Sequence, residues 1–516
     1  MKFAYILMLV GAVFLSSKMV MDIAGQSSTA PNNVVAADVP TREPKSETVH
    51  VDPAISQRVH ELLHGDSSDE SAQSEMTSAD SQNDVPGEPV ADVTVPEAVS
   101  ELPSTIQEHA EPLIKYSQPI RQKTALHDQM VTPGNFEYVG AFRPPLSDAA
   151  GKRFSYGGWG VTFRDGGDSN GDNDGHPGSL FIVGHRHHQL VAEISIPRPV
   201  ISLDHNIDDL PVANVIQQLG DVTGGIRKHL SGESSEPFEI GGMQVVNDRL
   251  HWTLYKYYNV EGHNYYSHGL STLDVTHPSA KGLWHLGPVN SGDQRWHSYK
   301  HGGYICEVPE PFATQYLGGR NLLSGLQIST GRQYSSQGPA LFAYRLPDKP
   351  PQHGAALNAL PMLWYPMNSR VAGHHGADLW KGAAWLTVGD KQAIVFVGRK
   401  AHGPERYGQA LPTDCYDYKG YHGDSYEIQM LFYAPGDLVQ ATSRAVPNVQ
   451  PWYRWDSTTA GGGLNRFMFQ KCGKEVGGLA YDRARNLVYI SEIDAGFTAE
   501  NEWESLPVIH VLRLVN

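Results

Sequence analysis

The chain has 516 residues, of which 40% are hydrophobic and 19% charged, with a formal net charge of −16. That length allows several domains and an ample core. No basic stripe supports nucleic-acid binding, and three cysteines are too few for a disulfide framework.

Residues 1–24 read as a secretory signal. Lys2 precedes an apolar run, Phe3–Leu15, and small residues follow. The run is too short for a comfortable transmembrane helix, so no membrane insertion is expected once the signal is removed. Residues 25–130 read as a disordered acidic linker. From Asp22 to Met130 there are 19 acids, 6 bases, no Phe or Trp, and Tyr116 as the one aromatic residue. Such a composition cannot bury enough apolar surface to offset its chain entropy. Residues 131–516 carry 32 bases, 37 acids, 19 of the 24 histidines and every tryptophan. The net acidity therefore belongs mostly to the linker and says little about the partners of the folded part.

The folded part reads as strand, turn, strand. Phe136–Phe142, Tyr156–Phe163, Ser179–Val183, Leu190–Ile196 and Met243–Val246 open the series. Leu250–Tyr258, Leu270–Val275, Ala340–Leu346, Ala383–Val388 and Ala393–Val397 continue it. Ile428–Tyr433, Gly478–Tyr481, Leu487–Ser491 and Val508–Leu514 close it. A loose unit recurs: Gly-Gly, a strand, a turn, a second strand, a loop and a third strand, as after Gly157-Gly158 and Gly477-Gly478. An antiparallel meander of about fifty residues predicts an all-β fold, a β-propeller of six to eight blades and best of seven. Phe136–Phe142 is expected to pair with Val508–Leu514 and close the ring. A large β-sandwich or a β-helix is the alternative.

Four stretches carry the chemistry-bearing residues. Gly184-His185-Arg186-His187-His188 puts three imidazoles at one turn. The run from Asp168 through Asn170, Asp172 and Asp174 to Gly175 alternates oxygen ligands as Ca²⁺ requires, but lacks the EF-hand Glu and equally suits a solvated hairpin loop. His402, Cys415 and His422 offer thiolate and imidazole to Zn²⁺ at no standard finger spacing; a free cysteine among surface histidines, or a disulfide, is the other reading. Ser291–Tyr304 packs Arg295, His297, Tyr299, Lys300, His301 and Tyr304 together, just after the tyrosine-rich stretch around Tyr255 and Tyr258. Arginine can fork a carboxylate or sulfate, and His and Tyr can move protons. No nucleophile elbow, P-loop, H-E-x-x-H or dinucleotide fingerprint occurs, and no organic cofactor is expected.

The stretches S-L-F-I-V-G-H, V-A-E-I-S-I-P, G-G-Y-I-C-E-V-P at Gly302–Pro309 and V-F-V-G-R at Val395–Arg399 resemble secreted bacterial propellers related to ulvan lyases. C-Y-D at Cys415–Asp417, G-G-L-A-Y-D at Gly478–Asp482 and the closing P-V-I-H-V-L-R-L add to the resemblance, which spans most of residues 131–516. It implies a seven-bladed propeller, structural Zn and Ca, and cleavage of a sulfated, uronic-acid-containing polysaccharide by β-elimination. Carried over, Arg295 neutralises the uronate, and His185, His205 and Tyr258 or Tyr334 move protons. The expected partner is an anionic polysaccharide, the protein a monomer, secreted or at the cell surface. A non-catalytic glycan-binding or surface interaction propeller is the rival reading.

Overall fold

A computed structural model describes residues 129–516, apart from 170, 231–237, 260–261, 290, 329–334, 367, 417 and 445–448. The expected signal and all but the last two residues of the expected linker lie outside the described residues. Strand β1 (Phe136–Phe142) is followed by a first blade of β2 (Val161–Arg164), β3 (Ser179–Val183), β4 (Val191–Ile194) and β5 (Val215–Gly220). The second blade holds β6 (Glu239–Val246), β7 (Arg249–Tyr255), β8 (His268–Ser271) and β9 (Lys281–Leu286). The third holds β10 (Tyr304–Glu307), β11 (Leu322–Gly325) and β12 (Leu341–Tyr344). Strand β13 (Ala356–Leu357) then crosses to pair in parallel with β9, and β14 (Ala359–Leu363) completes the third blade.

The fourth blade is β15 (Leu379–Val388), β16 (Lys391–His402), β19 (Ser425–Tyr433) and β20 (Tyr453–Trp455). A small hairpin, β17 (Arg406–Gly408) and β18 (Gly420–His422), rises from its middle. The fifth is β21 (Val476–Asp482), β22 (Leu487–Thr498) and β23 (Asn501–Leu514), with β1 as its outer strand. Phe136 pairs with Leu514 and Phe142 with Ile509, so the two ends of the fold share one sheet, as the sequence predicts.

The fold is thus a β-propeller, and the described strands make five blades, not seven. Inner strands β2, β6, β10, β15 and β21 each pack on the next, and β21 packs back on β2. They begin at Val161, Glu239, Tyr304, Leu379 and Val476, so the repeat runs from about 65 to about 97 residues and not fifty. Long loops make up the difference.

Each pair of neighbouring blades encloses its own apolar layer. Phe181 and Val183 face Leu250 and Trp252, whereas Leu180 and Ile182 face Val508 and Ile509. Trp284 meets Phe342, Leu341 meets Ile394, and Val395 meets Ile490 and Leu512. Strands buried on both faces read as continuous hydrophobic runs, which is why S-L-F-I-V is legible as a strand.

The recurring Gly-Gly has a packing reason. Around the axis a Cβ on Gly241 would lie 1.9 Å from Gly302 O, and one on Gly477 would lie 2.1 Å from Gly158 O. Five inner strands crowd the axis more than seven would, and glycine permits that approach. The cavity left along the axis holds only about 10 Å³. The channel is closed, and a cleft at its mouth ends blind.

Candidate functional site

That cleft opens where each outer strand hands over to the next inner strand. Its volume is about 350 Å³. Trp159 comes from the approach to β2, Arg186 from the turn after β3, and Tyr255 and Tyr257 from the end of β7. Lys381 comes from β15, Arg399 from β16, Glu475 from the approach to β21 and Asp494 from β22. All five blades border the mouth, because Ile328 follows β11 of the third. Lys381 also lies on the glycine collar, so it forms the floor.

The floor is one connected polar network. Lys381 Nζ donates to Tyr255 Oη at 2.6 Å, and Tyr255 donates to Glu239 Oε2 at 2.6 Å. Arg186 Nη2 reaches Glu239 Oε1 at 3.2 Å, and its guanidinium lies 4.7 Å over the Trp159 ring. Burial would raise the Glu239 carboxyl, but Arg186 and Lys381 hold it below the usual carboxylate range. Burial pushes Lys381 down to about 8, with Glu239 opposing. The Tyr255 phenol is driven well up by burial and by the Glu239 charge, so it stays protonated.

The wall is built around Arg399. Its Nε donates to Ala377 O at 3.2 Å and its Nη2 to Tyr418 Oη at 3.1 Å. Its plane lies 4.3 Å from the Tyr416 ring centre. Nη1 has no hydrogen-bond partner, with Glu475 Oε2 3.8 Å away. A buried guanidinium with an unsatisfied N–H is unusual. Asp494 has φ 52° at an irregularity in the β22–β23 pairing, a feature that re-aims a side chain, and it borders the cleft. Burial, then the nearby Glu475 charge, raises its carboxyl to about 6.

The loop carrying Tyr416 and Tyr418 is pinned. Cys415 is bonded to Cys472, 57 residues on, and Tyr416 donates to Gly473 O. This corrects one expectation: a cysteine in a disulfide supplies no thiolate to zinc. Its companions are also engaged, His402 Nε2 with Glu427 at 2.7 Å and His422 Nε2 with Tyr418 O at 3.1 Å. Reduction, or Cys415→Ser, is expected to loosen the wall. Binding at the cleft should then weaken by at least about tenfold while the blades stay folded, a comparison that calorimetry and far-ultraviolet circular dichroism with and without reductant would make.

The other anticipated residues scatter. His185 sits in the turn beside the cleft, packed on Tyr156 with 5.6 Å between ring centres, and burial and then His188 and His187 lower its pKa. Its neighbour Arg186 is the residue that reaches the cleft. His205 binds Arg466 O through Nε2 at 2.9 Å, outside the cleft lining. Tyr257 and Tyr258 are both exposed, and Tyr257 alone of the two lines the cleft. Arg295 is taken up by Asp293, Nε to Oδ2 at 2.7 Å, and does not line the cleft. Tyr334 lies outside the described residues.

In the anticipated calcium loop, Asp168 is half-buried, Asn170 lies outside the described residues, and the side chains of Asp172 and Asp174 are likewise not described. The backbone there makes a short helical turn, α1 (Gly171–Asp174), within the loop that joins the antiparallel strands β2 and β3. Among the described residues no group of three His, Cys, Asp or Glu side chains is placed to hold a metal ion. No helix there is long and apolar enough to cross a membrane.

Lys381, Arg399, Glu475 and Asp494 were missed as site residues, although Arg399 ends the quoted V-F-V-G-R and Tyr257 lies in the tyrosine-rich run.

No family model matches this chain, and no curated protein matches it. Among solved structures it is similar to the β-propeller domain of Myceliophteria thermophila Cps50 (Swd1), at 8% identity and a TM-score of 0.21, over 66% of this chain and 67% of that one. It is also similar to a chain in a humanized mutant of the Chaetomium thermophilum Polycomb Repressive Complex 2, at 7% identity and a TM-score of 0.25, over 73% and 97%. Likenesses this slight carry no argument about activity.

Proposed function

We propose that this protein is a polysaccharide lyase that cleaves an acidic, uronate-containing chain such as ulvan by β-elimination in the axial cleft. The observation that carries the reading is Arg399, a buried cation on the cleft wall whose Nη1 lacks a hydrogen bond and has Glu475 Oε2 at 3.8 Å, beside the floor lysine that burial lowers to about 8. In β-elimination the carboxylate must be neutralised so that its C5 proton becomes acidic. Arg399 would take that role in place of Arg295. Neutral Lys381 would accept the C5 proton, the C5–H electrons would form the C4=C5 bond, and the C4–O4 bond would break. Tyr257, raised to about 12 by burial and then Tyr418, would give its proton to the departing O4. Tyr255 orients Lys381 without changing its own protonation. The tyrosines and Trp159 would offer flat apolar faces to sugar rings. The Cys415–Cys472 disulfide supports an oxidising compartment, hence secretion or cell-surface display.

A second reading is favoured by Asp494 beside Glu475. A carboxyl held near pH 6 next to another carboxylate is what glycoside hydrolysis uses. One experiment separates the readings: purified protein with ulvan and other uronate polymers, scored for both unsaturated-uronate absorbance and new reducing ends. Elimination produces both signals, and Arg399→Ala should remove them together. Reducing ends without absorbance would mean hydrolysis. Tight binding with neither signal would leave the non-catalytic glycan-binding propeller.

A further inference from the structure

We propose that the overhanging hairpin of the fifth blade is an outer sugar-binding subsite, in which Trp503 stacks on a ring of the same polysaccharide several units away from the cleft. This rests on the reading of the cleft as a saccharide site, and extends it from a single cleavage point to recognition of a polymer.

Three observations converge there. Strands β22 and β23 run beyond the body of their sheet to a turn at Thr498 and Asn501, and they carry Phe497 and Trp503 on the projecting part. Trp503 is 85% exposed and Phe497 53%, so neither side chain adds much to the core. A lone exposed aromatic needs no explanation, but two on one projecting hairpin, on a strand that continues from the cleft lining, call for one.

The hairpin is also continuous with the cleft. Asp494 borders the cleft from the same strand that bears Phe497. Tyr156 donates its hydroxyl to Trp503 O at 3.0 Å, and its ring packs on His185, whose neighbour Arg186 lines the cleft. Trp159 Nε1 in turn donates to Tyr156 O at 3.0 Å, so hydrogen bonds link the cleft-lining Trp159 through Tyr156 to the backbone of Trp503. Glu504 does not compete for this path, since Ser155 binds it at 2.9 Å and Arg153 approaches it at 3.6 Å.

Flat exposed rings at a cleft's rim suit the C–H face of a pyranose, which stacks without regard to the sugar's charge. The occupant is thus the remote part of the chain held in the cleft. Its class is a polymer of at least several sugar units.

The test compares Trp503→Ala, Trp503→Phe and wild type on ulvan and on a disaccharide or trisaccharide cut from it. The expected result is an apparent KM for ulvan raised about tenfold in Trp503→Ala, largely restored in Trp503→Phe, with kcat and short-substrate KM within about twofold of wild type. Sugar-dependent quenching of tryptophan fluorescence should shrink in parallel. If wild type binds and cleaves ulvan and Trp503→Ala does so equally well, the subsite is overturned while the cleft reading stands. An equal loss on short and long substrates also overturns it, since that marks a general structural defect. Loss of self-association in Trp503→Ala, with polymer affinity intact, would assign the hairpin to a second copy of this chain. If wild type itself neither binds nor cleaves acidic polymers, the cleft reading fails and the subsite fails with it.

Discussion

Lys381→Met is expected to lower kcat/KM on a uronate polymer by about 10² to 10⁴-fold, the range general base catalysis supplies. Lys381 lies on the cleft floor and burial lowers it to about 8. Only the neutral amine can accept a proton. Wild-type kcat/KM should therefore rise about tenfold per pH unit up to about 8 and level off above it. The methionine variant should keep its fold, because Glu239 retains Arg186 and Tyr255 as partners. Its residual rate should lose the limb centred near 8. A variant within threefold of wild type would remove Lys381 from the mechanism. A wild-type rate that falls as pH rises through 6 would point instead to the protonated Asp494 carboxyl and to hydrolysis.

The second large effect is on stability in acid. His251, His268, His297 and His301 are buried in and beside the second blade. Burial lowers His251 to about 4 and His297 to about 4. Burial and then His285 lower His268 to about 3 and drive His301 well below its ordinary value. In the unfolded chain each titrates near 6.5. Above that pH all are neutral in both states and the full stability is present. As pH falls below about 6.5 the unfolded chain takes up protons that the folded chain refuses, so stability declines until the folded values are passed. His251 alone accounts for roughly 3 kcal/mol across that window, against a typical total of about 5 to 15 kcal/mol. Asp494, raised to about 6, opposes this only in part. Thermal melts should show Tm dropping steeply from pH 6.5 to 4, and His251→Leu should flatten the fall. A Tm independent of pH over that range would show that these imidazoles do not stay neutral in the fold.

The same physics separates what the sequence makes legible from what it hides. Strands in the middle of blades, such as Ser179–Val183 and Leu487–Ser491, are buried on both faces and read as unbroken apolar runs. Phe136–Phe142, the outer strand of the fifth blade, was legible from its own apolar and aromatic run and pairs with the C-terminal strand, although only its second half is fully buried. The other outer strands were not. Val215–Gly220 carries two glutamines, and Ala359–Leu363 contains Pro361 opposite Phe342, which only an edge strand tolerates. Without those edges the repeat looked shorter and the blade count came out too high.

The site was hidden for a different reason. Clusters in sequence, such as Arg295 to His301, turned out to bind the loops around them: His297 reaches Gly262 O in the β7–β8 connection, and Arg295 reaches Asp293. The residues that meet at the axis come from all five blades, most of them from the fourth. Lys381 is a single charge inside the hydrophobic strand Leu379–Val388, and Arg399 stands with Lys400 at the end of the apolar run of Lys391–His402. Nothing local marks them until five inner strands are closed around one axis. The histidine turn that drew attention does lie beside the cleft, yet Arg186 is its contribution.

The most direct measurement of the central claim is a crystal structure of the protein with a uronate oligosaccharide bound, using Lys381→Met to prevent turnover. The account predicts a uronate carboxylate within hydrogen-bonding distance of Arg399 Nη1, and C5 facing the position of the missing amine. A sugar held elsewhere, with Arg399 still turned to Glu475 and the cleft empty, would contradict it.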